Sequence, residues 1–268
     1  MQSDDRLPIE VDVRLVGGSD APRLTLSCSD RTSPIPLTEL LPALRSLTCT
    51  VAEAAVEREQ AAGREISCKA GCGACCRQLV PLTVTEARQL SELIAGLEES
   101  HQTRVRARFL EAMPKIRDSG LWGRLEELSS MSGTQRVEVA AEYFQLGIAC
   151  PFLEEESCSI HPVRPLVCRQ YLVTSAPAHC ANPPSKKIVP VALAANVFGA
   201  LARVEARGEK PLRSIPMILA LAIDFAEDKS RETIPTWLGL LLEQIKKIRE
   251  ERISDAKASE SGAAPMAA

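Results

Sequence analysis

C-K-A-G-C-G-A-C-C, residues 68–76, sets four cysteines in nine positions, the last two adjacent. The chain carries ten cysteines in 268 residues, and eight of them fall in two patches. The second patch reads C-P-F-L-E-E-E-S-C-S-I-H-P-V-R-P-L-V-C-R-Q-Y over residues 150–171, with one more cysteine at Cys180. Disulfides are one use for so many thiols, but they suit short secreted chains that lack a core. This chain is 45% hydrophobic and long enough to bury one. Its first ten residues, M-Q-S-D-D-R-L-P-I-E, hold no apolar core of signal-peptide length. No segment reaches roughly 18 uninterrupted apolar residues; the nearest, Ile188 to Val204, contains Pro190, Asn196 and Arg203. The expectation is a cytoplasmic chain that does not enter a membrane, in which clustered thiols serve a metal.

The charge balance narrows the partners. There are 32 basic and 35 acidic residues, a formal net charge of -3 and 3% aromatics. Neither a basic face nor a stacking platform for nucleic acid follows from that composition. A metal ion or cluster is the expected partner, and any protein partner leaves no mark in the sequence.

Working outward, residues 9–28 alternate apolar and polar on both sides of a Gly-Gly-Ser-Asp turn, which predicts a β-hairpin within residues 1–30. A helical period runs from Leu37 to Gly63. Thr83 stands three residues before Glu86, a capping box that opens the next helix. A polar, Arg-rich helical stretch extends to about residue 130, and the chain turns apolar again near 137–147. Helices are expected at 186–207, 213–228 and 234–253, followed by a disordered tail over 254–268. The predicted class is mainly α (α+β): one domain over 1–253, with the N-terminal hairpin, a cysteine-cluster region at 65–180 and C-terminal helices at 186–253.

Cys68, Cys72, Cys75, Cys76, Cys150, Cys158, Cys168 and Cys180 are the candidate ligands, because thiolates are soft donors suited to zinc, copper(I) and iron–sulfur clusters. Gly71 and Gly73 flank Cys72 and allow the backbone to turn tightly around an ion. Adjacent side chains diverge, so Cys75 and Cys76 are expected to do different jobs, in one large cluster with spare thiols or in two sites that share the region. Arg164 and Arg169 flank Cys168 and are candidates to offset the negative charge of a thiolate cluster. His161 and His179 lie near cysteines and could complete a zinc site; His101, on a polar helix, has less claim. Cys28 and Cys49 have no ligand neighbours in sequence and read as small buried hydrophobes.

The pairing of C-x3-C-x2-C-C with the later C-P-F-L…C-S-I-H-P-V-R-P-L-V-C-R-Q-Y resembles the YkgJ-type cysteine-cluster proteins over residues 65–175. The resemblance implies a zinc- or iron-chelating domain whose metal set is Cys68, Cys72, Cys75, Cys76, Cys150, Cys158 and Cys168. It argues against an obligatory ligand at His161, where members of that family often carry tyrosine. The same pattern occurs in FliB-type flagellin lysine N-methylases, which implies a modifying enzyme as the alternative to a metal-binding protein. No glycine-rich cofactor loop stands after Cys180 to support the enzyme. Cys68, Cys72 and Cys75 also match radical S-adenosylmethionine spacing, but the strand–helix repeats of a barrel are absent. On ligand pattern, the scattered cysteines and the Cys150-Pro151 step favour an iron–sulfur cluster (4Fe-4S) over zinc, whose structural sites usually show two short knuckles.

Overall fold

Leu37, Leu40, Leu41, Leu44, Leu47 and Val51 recur at helical intervals, and each is at most 3% exposed. In the computed structural model, which describes residues 9–11, 24–26, 33–183, 186–209, 212–225 and 229–261, this stripe forms a 3-10 turn at Leu37–Leu40 and then α1 (Leu41–Ala61). Pro42 sits in the first turn, where its missing N–H would have had no helical partner. Gly63, at φ +70°, turns the chain away after the last helical residue. Upstream, β1 (Ile9–Val11) and β2 (Leu24–Leu26) pair antiparallel with Ile9 opposite Leu26, as the alternation predicts. The turn between them and Cys28 lie outside the described residues.

After the first cysteine loop come β3 (Pro81–Leu82), α2 (Val84–Ala95), α3 (Glu99–Asp118), α4 (Trp122–Glu126) and α5 (Gly133–Gln145). The predicted capping box is present at the start of α2: Thr83 accepts from the Glu86 N–H and the Glu86 carboxylate accepts from the Thr83 N–H. The second cysteine region contributes β4 (Leu153–Glu154), β5 (Ser157–Cys158), α6 (Leu166–Gln170) and α7 (Pro177–Cys180). The chain ends through α8 (Val197–Ala206), β6 (Ile215–Pro216) and α9 (Ile234–Ser261). The fold is mainly α, with three small two-stranded antiparallel sheets among the described residues.

Two apolar cores result. One joins α1, α8 and α9 through Leu44, Leu201, Trp237 and Leu241, and takes in Leu166 of α6. The other joins α2, α3, α4 and α5 to Phe152, Ile160 and residues 215–220. Phe152 is fully buried and meets Phe109 edge to face, with ring centroids 6.1 Å apart. Ile160 belongs to the second core and Leu166 to the first, so the cysteine-bearing segment between them runs from one core to the other.

Three expectations for the C-terminal part need correction. The helix expected over 186–207 starts only at Val197. Before it the chain is extended: Thr174 donates to the Val189 carbonyl and Val191 to that of Leu172. Pro190 sits in that extended run, and the Asn196 side chain caps the helix by accepting from the Gly199 N–H. No helix spans 213–228; Ile215–Pro216 pairs with Pro81–Leu82 and a 3-10 turn follows at Met217–Leu219. The residue before a proline is pushed towards extended geometry, and Pro216 has no N–H for a helix. Finally, α9 continues through Ser261 instead of ending near 253, since Ala, Lys and Glu favour helix and no Gly or Pro interrupts the run before Gly262. Residues 262–268 of the expected tail lie outside the described residues. No helix among the described residues is long and apolar enough to cross a membrane.

Candidate metal centre

The first cysteine loop is shaped by its backbone. The Ser67 N–H donates to the Val173 carbonyl and sets Cys68 beside the Tyr171 carbonyl, at 3.9 Å from its sulfur. Gly71 then takes φ +79°, a conformation that L side chains rarely adopt. Gly73 is a close approach: a Cβ there would meet Leu153 Cδ1 at 2.7 Å and the Glu156 carbonyl at 2.8 Å. Cys75 and Cys76 ride on the 3-10 turn Ala74–Arg77. The Cys150 N–H donates to the Cys76 carbonyl at 2.7 Å, which ties the two patches together by backbone.

The second patch is shaped by side chains from elsewhere. Glu155 and Glu156 both have positive φ, 47° and 58°, as a two-residue type I′ hairpin turn between β4 and β5 requires. Arg108 of α3 donates to the Pro151 carbonyl at 2.8 Å and to Glu154 at 3.0 Å, and His101 Nε2 lies 2.9 Å from Ser159 Oγ. Cys158 is thereby held against α3. The helix that bears Cys168 is held by Glu86: its Oε1 accepts from the Leu166 N–H at 2.7 Å, while Oε2 serves Thr83. Burial pushes the Glu86 carboxyl above its ordinary value, and the three hydrogen bonds work the other way. Gln170 fastens the far end of α6, accepting from the Phe198 N–H at 2.8 Å.

All eight candidate thiols line two adjoining cavities, of about 230 Å³ and about 270 Å³. Cys68, Cys72, Cys75, Cys168 and Cys180 line the first. Cys72, Cys75, Cys76, Cys150, Cys158 and Cys168 line the second. Lys69, His161, Arg164 and Tyr171 line both. Among the described residues, no group of three or more His, Cys, Asp or Glu side chains is already drawn together as an ion would hold it.

Burial and the neighbouring sulfurs raise the thiols of Cys68, Cys158, Cys168 and Cys180, and push Cys150 up to about 12. Such a set resists ionisation by itself, because each thiolate repels the next; a bound cation reverses that balance. Cys75 and Cys76 share a hydrogen bond, which lowers Cys75 and raises Cys76. The Arg164 guanidinium works against the rise at Cys68 and Cys158 and adds to the lowering of Cys75, and its Nε is buried with no hydrogen-bond partner. A soft donor set beside a half-buried guanidinium whose Nε lacks a partner fits a thiolate-bound metal, which leaves net negative charge to offset.

The other candidates separate from the thiols. Arg169 lines neither cavity: it donates to the carbonyls of Pro162 and Arg164 and, at 3.0 Å, to the Cys49 sulfur on α1. Successive helical residues point about 100° apart, so with Cys168 facing the cavities Arg169 turns towards α1. Cys49 is thus the acceptor of a buried arginine rather than a bystander. His179 reaches the Lys187 carbonyl at 2.7 Å and lines neither cavity. Burial, then Arg164 and Arg169, lower the His161 imidazole. Two of the four residues named above as lining both cavities escaped the sequence reading. Tyr171, whose hydroxyl is raised to about 12 by burial and which bonds the Cys180 thiol, had a signal in its place after Cys168; Lys69, between two cysteines, had none.

The helical scaffold and the paired thiol patches make up a cysteine-cluster domain. Residues 67–186 match the family model CxxCxxCC, described as a putative zinc- or iron-chelating domain, and the match supports a cysteine-cluster protein of that family type. The match takes in Cys180. Three residues separate Cys68 from Cys72, rather than the two that the family's name spells, and Gly71 supplies the turn there. Comparison with curated proteins and with solved structures gave no match.

Proposed function

We propose that this protein holds metal through both cysteine patches, as an iron–sulfur cluster or as zinc, with Cys68, Cys72, Cys75, Cys76, Cys150, Cys158, Cys168 and Cys180 as ligands. The observation that carries this reading is that eight thiols from sequence-distant segments line two adjoining cavities with three of them in common. Arg164 offsets the charge of the bound thiolates; Arg169 acts at one remove, by bracing the turn that carries Arg164. Because the cysteine-bearing segment enters both apolar cores, we read residues 1–253 as one domain built around the centre. We read the centre as metal-binding rather than methyl-transferring because thiols line both of its cavities.

Protein purified anaerobically and assayed for metal, acid-labile sulfide and visible absorption tests this reading. An iron–sulfur centre gives brown protein, broad absorption near roughly 400 nm and stoichiometric sulfide. Zinc gives colourless, air-stable protein without sulfide, because its d shell is filled. Protein that retains neither metal, and takes up neither on reconstitution, overturns the proposal.

A further inference from the structure

A third cavity, of about 210 Å³, shares no lining residue with the two that the thiols line. It lies between the start of α2, the end of α8 and the first turn of α9. Leu37, Val84, Ala202 and Trp237, all buried, supply its apolar wall. Three arginines, Arg88, Arg207 and Arg213, line it as well, and the acidic residues of its described lining are Glu205 and Glu209.

These charges are not all matched to one another. The Glu205 carboxylate is spent on α2: Oε2 accepts from the Val84 N–H at 2.8 Å and Oε1 from the Thr85 N–H at 2.9 Å. That contact also occupies the start of the helix, so the helix end is not itself the site. Arg207 and Arg213 are exposed and have no ion-pair partner among the described residues. Like charges that converge on one cavity repel, and an anion held between them relieves the repulsion. Arg207 moreover closes α8 at φ +48°, a left-handed position usually given to glycine. The chain thus bears backbone strain at a residue whose side chain lines the cavity.

The volume is below the roughly 300–1,000 Å³ of sites for drug-sized ligands, so the occupant is small. Guanidinium forks match carboxylate and phosphate alike; two of them on one group favour the doubly charged phosphate. We propose that this cavity binds a small organic phosphate, with the phosphoryl group between Arg207 and Arg213 and the apolar part against Val84 and Trp237. The site is separate from the thiol centre and stands or falls independently of the metal-binding reading.

Calorimetric titration of full-length protein with phenyl phosphate, inorganic phosphate and benzoate tests this. Phenyl phosphate should bind at a single site, about tenfold tighter than either of the others, since inorganic phosphate lacks the apolar part and benzoate the second charge. Arg207→Ala and Arg213→Ala should each weaken phenyl phosphate by about tenfold or more. Both side chains are exposed, so neither change threatens the fold. Arg136→Ala, an exposed arginine on α5, should leave the affinity unchanged. No saturable binding of phenyl phosphate below about 10 mM overturns the proposal. Equal weakening by Arg136→Ala overturns it too, because it marks charge attraction without a site. Inorganic phosphate or benzoate binding as tightly as phenyl phosphate would overturn the assignment to an organic phosphate.

Discussion

The two cysteine patches are anchored differently. Those anchors of the first loop that cross to distant residues go to the second: Ser67 to Val173, Cys76 to Cys150, Arg77 to Glu156 and Gln78 to the Cys180 carbonyl at 2.9 Å. The second patch is fixed to the rest of the fold: to α3 through Arg108 and His101, to α2 through Glu86, to α8 through Gln170 and to α1 through Arg169. One patch is a platform and the other is docked on it. Thiols can therefore be legible as a set in sequence while the work of placing them falls on residues with no thiol at all.

Metal removal should have the largest effect. Ions that join docked loop to platform close a long loop, so stripped protein should lose several kcal/mol of stability. Limited proteolysis of stripped protein should then cut within 65–80 before 150–180; first cuts in the second patch would reverse the proposed order. Phe152→Ala strikes the platform from beneath and should cost about 3–5 kcal/mol in urea denaturation, as a large-to-small change at a fully buried ring. A loss below about 1 kcal/mol would mean that the hairpin is not seated on the second core.

Glu86 gives a pH test of the same platform. Its carboxyl is raised in the folded chain, so the folded state binds its proton more tightly than the unfolded state does. The stability tied to that proton is complete below the ordinary carboxyl value and is lost as pH rises through the raised one. Metal-free Glu86→Gln should therefore weaken less than wild type as pH climbs from about 4 to about 7. Parallel pH profiles for the two proteins would show that burial of Glu86 leaves no imprint on folding. The smallest effect belongs to Arg77→Ala, which removes a half-exposed ion pair with Glu156 on the docked loop and should cost no more than about 1 kcal/mol. A loss of metal with Arg77→Ala equal to that with Cys72→Ser would mean that the loop is held by this pair and not by its thiols.

Much of this was legible locally. The leucine stripe of α1 and the Thr83–Glu86 box are short-range patterns, and both appear where the periodicity and the capping rule put them. The cysteines announced a metal centre because their density and glycine neighbours are hard to account for otherwise. Ile215 to Ala220 was misread because a run buried on every side has the same pattern as strand or helix. The partners of Arg169 and the second duty of Glu86 were out of reach, since Cys49 lies 120 residues and Leu166 80 residues away. Periodicity carries no information about contacts at that separation.

The backbone bond from Cys150 to Cys76 spans 74 positions. At ordinary translation rates of about 5–20 residues per second, the docked loop leaves the ribosome roughly 4–15 s before its platform begins to emerge. For that interval, four closely spaced thiols have neither Arg164 nor the second patch to shelter them. While the chain is being made, the thiols of the first loop therefore stand without the side chains that surround them in the finished fold.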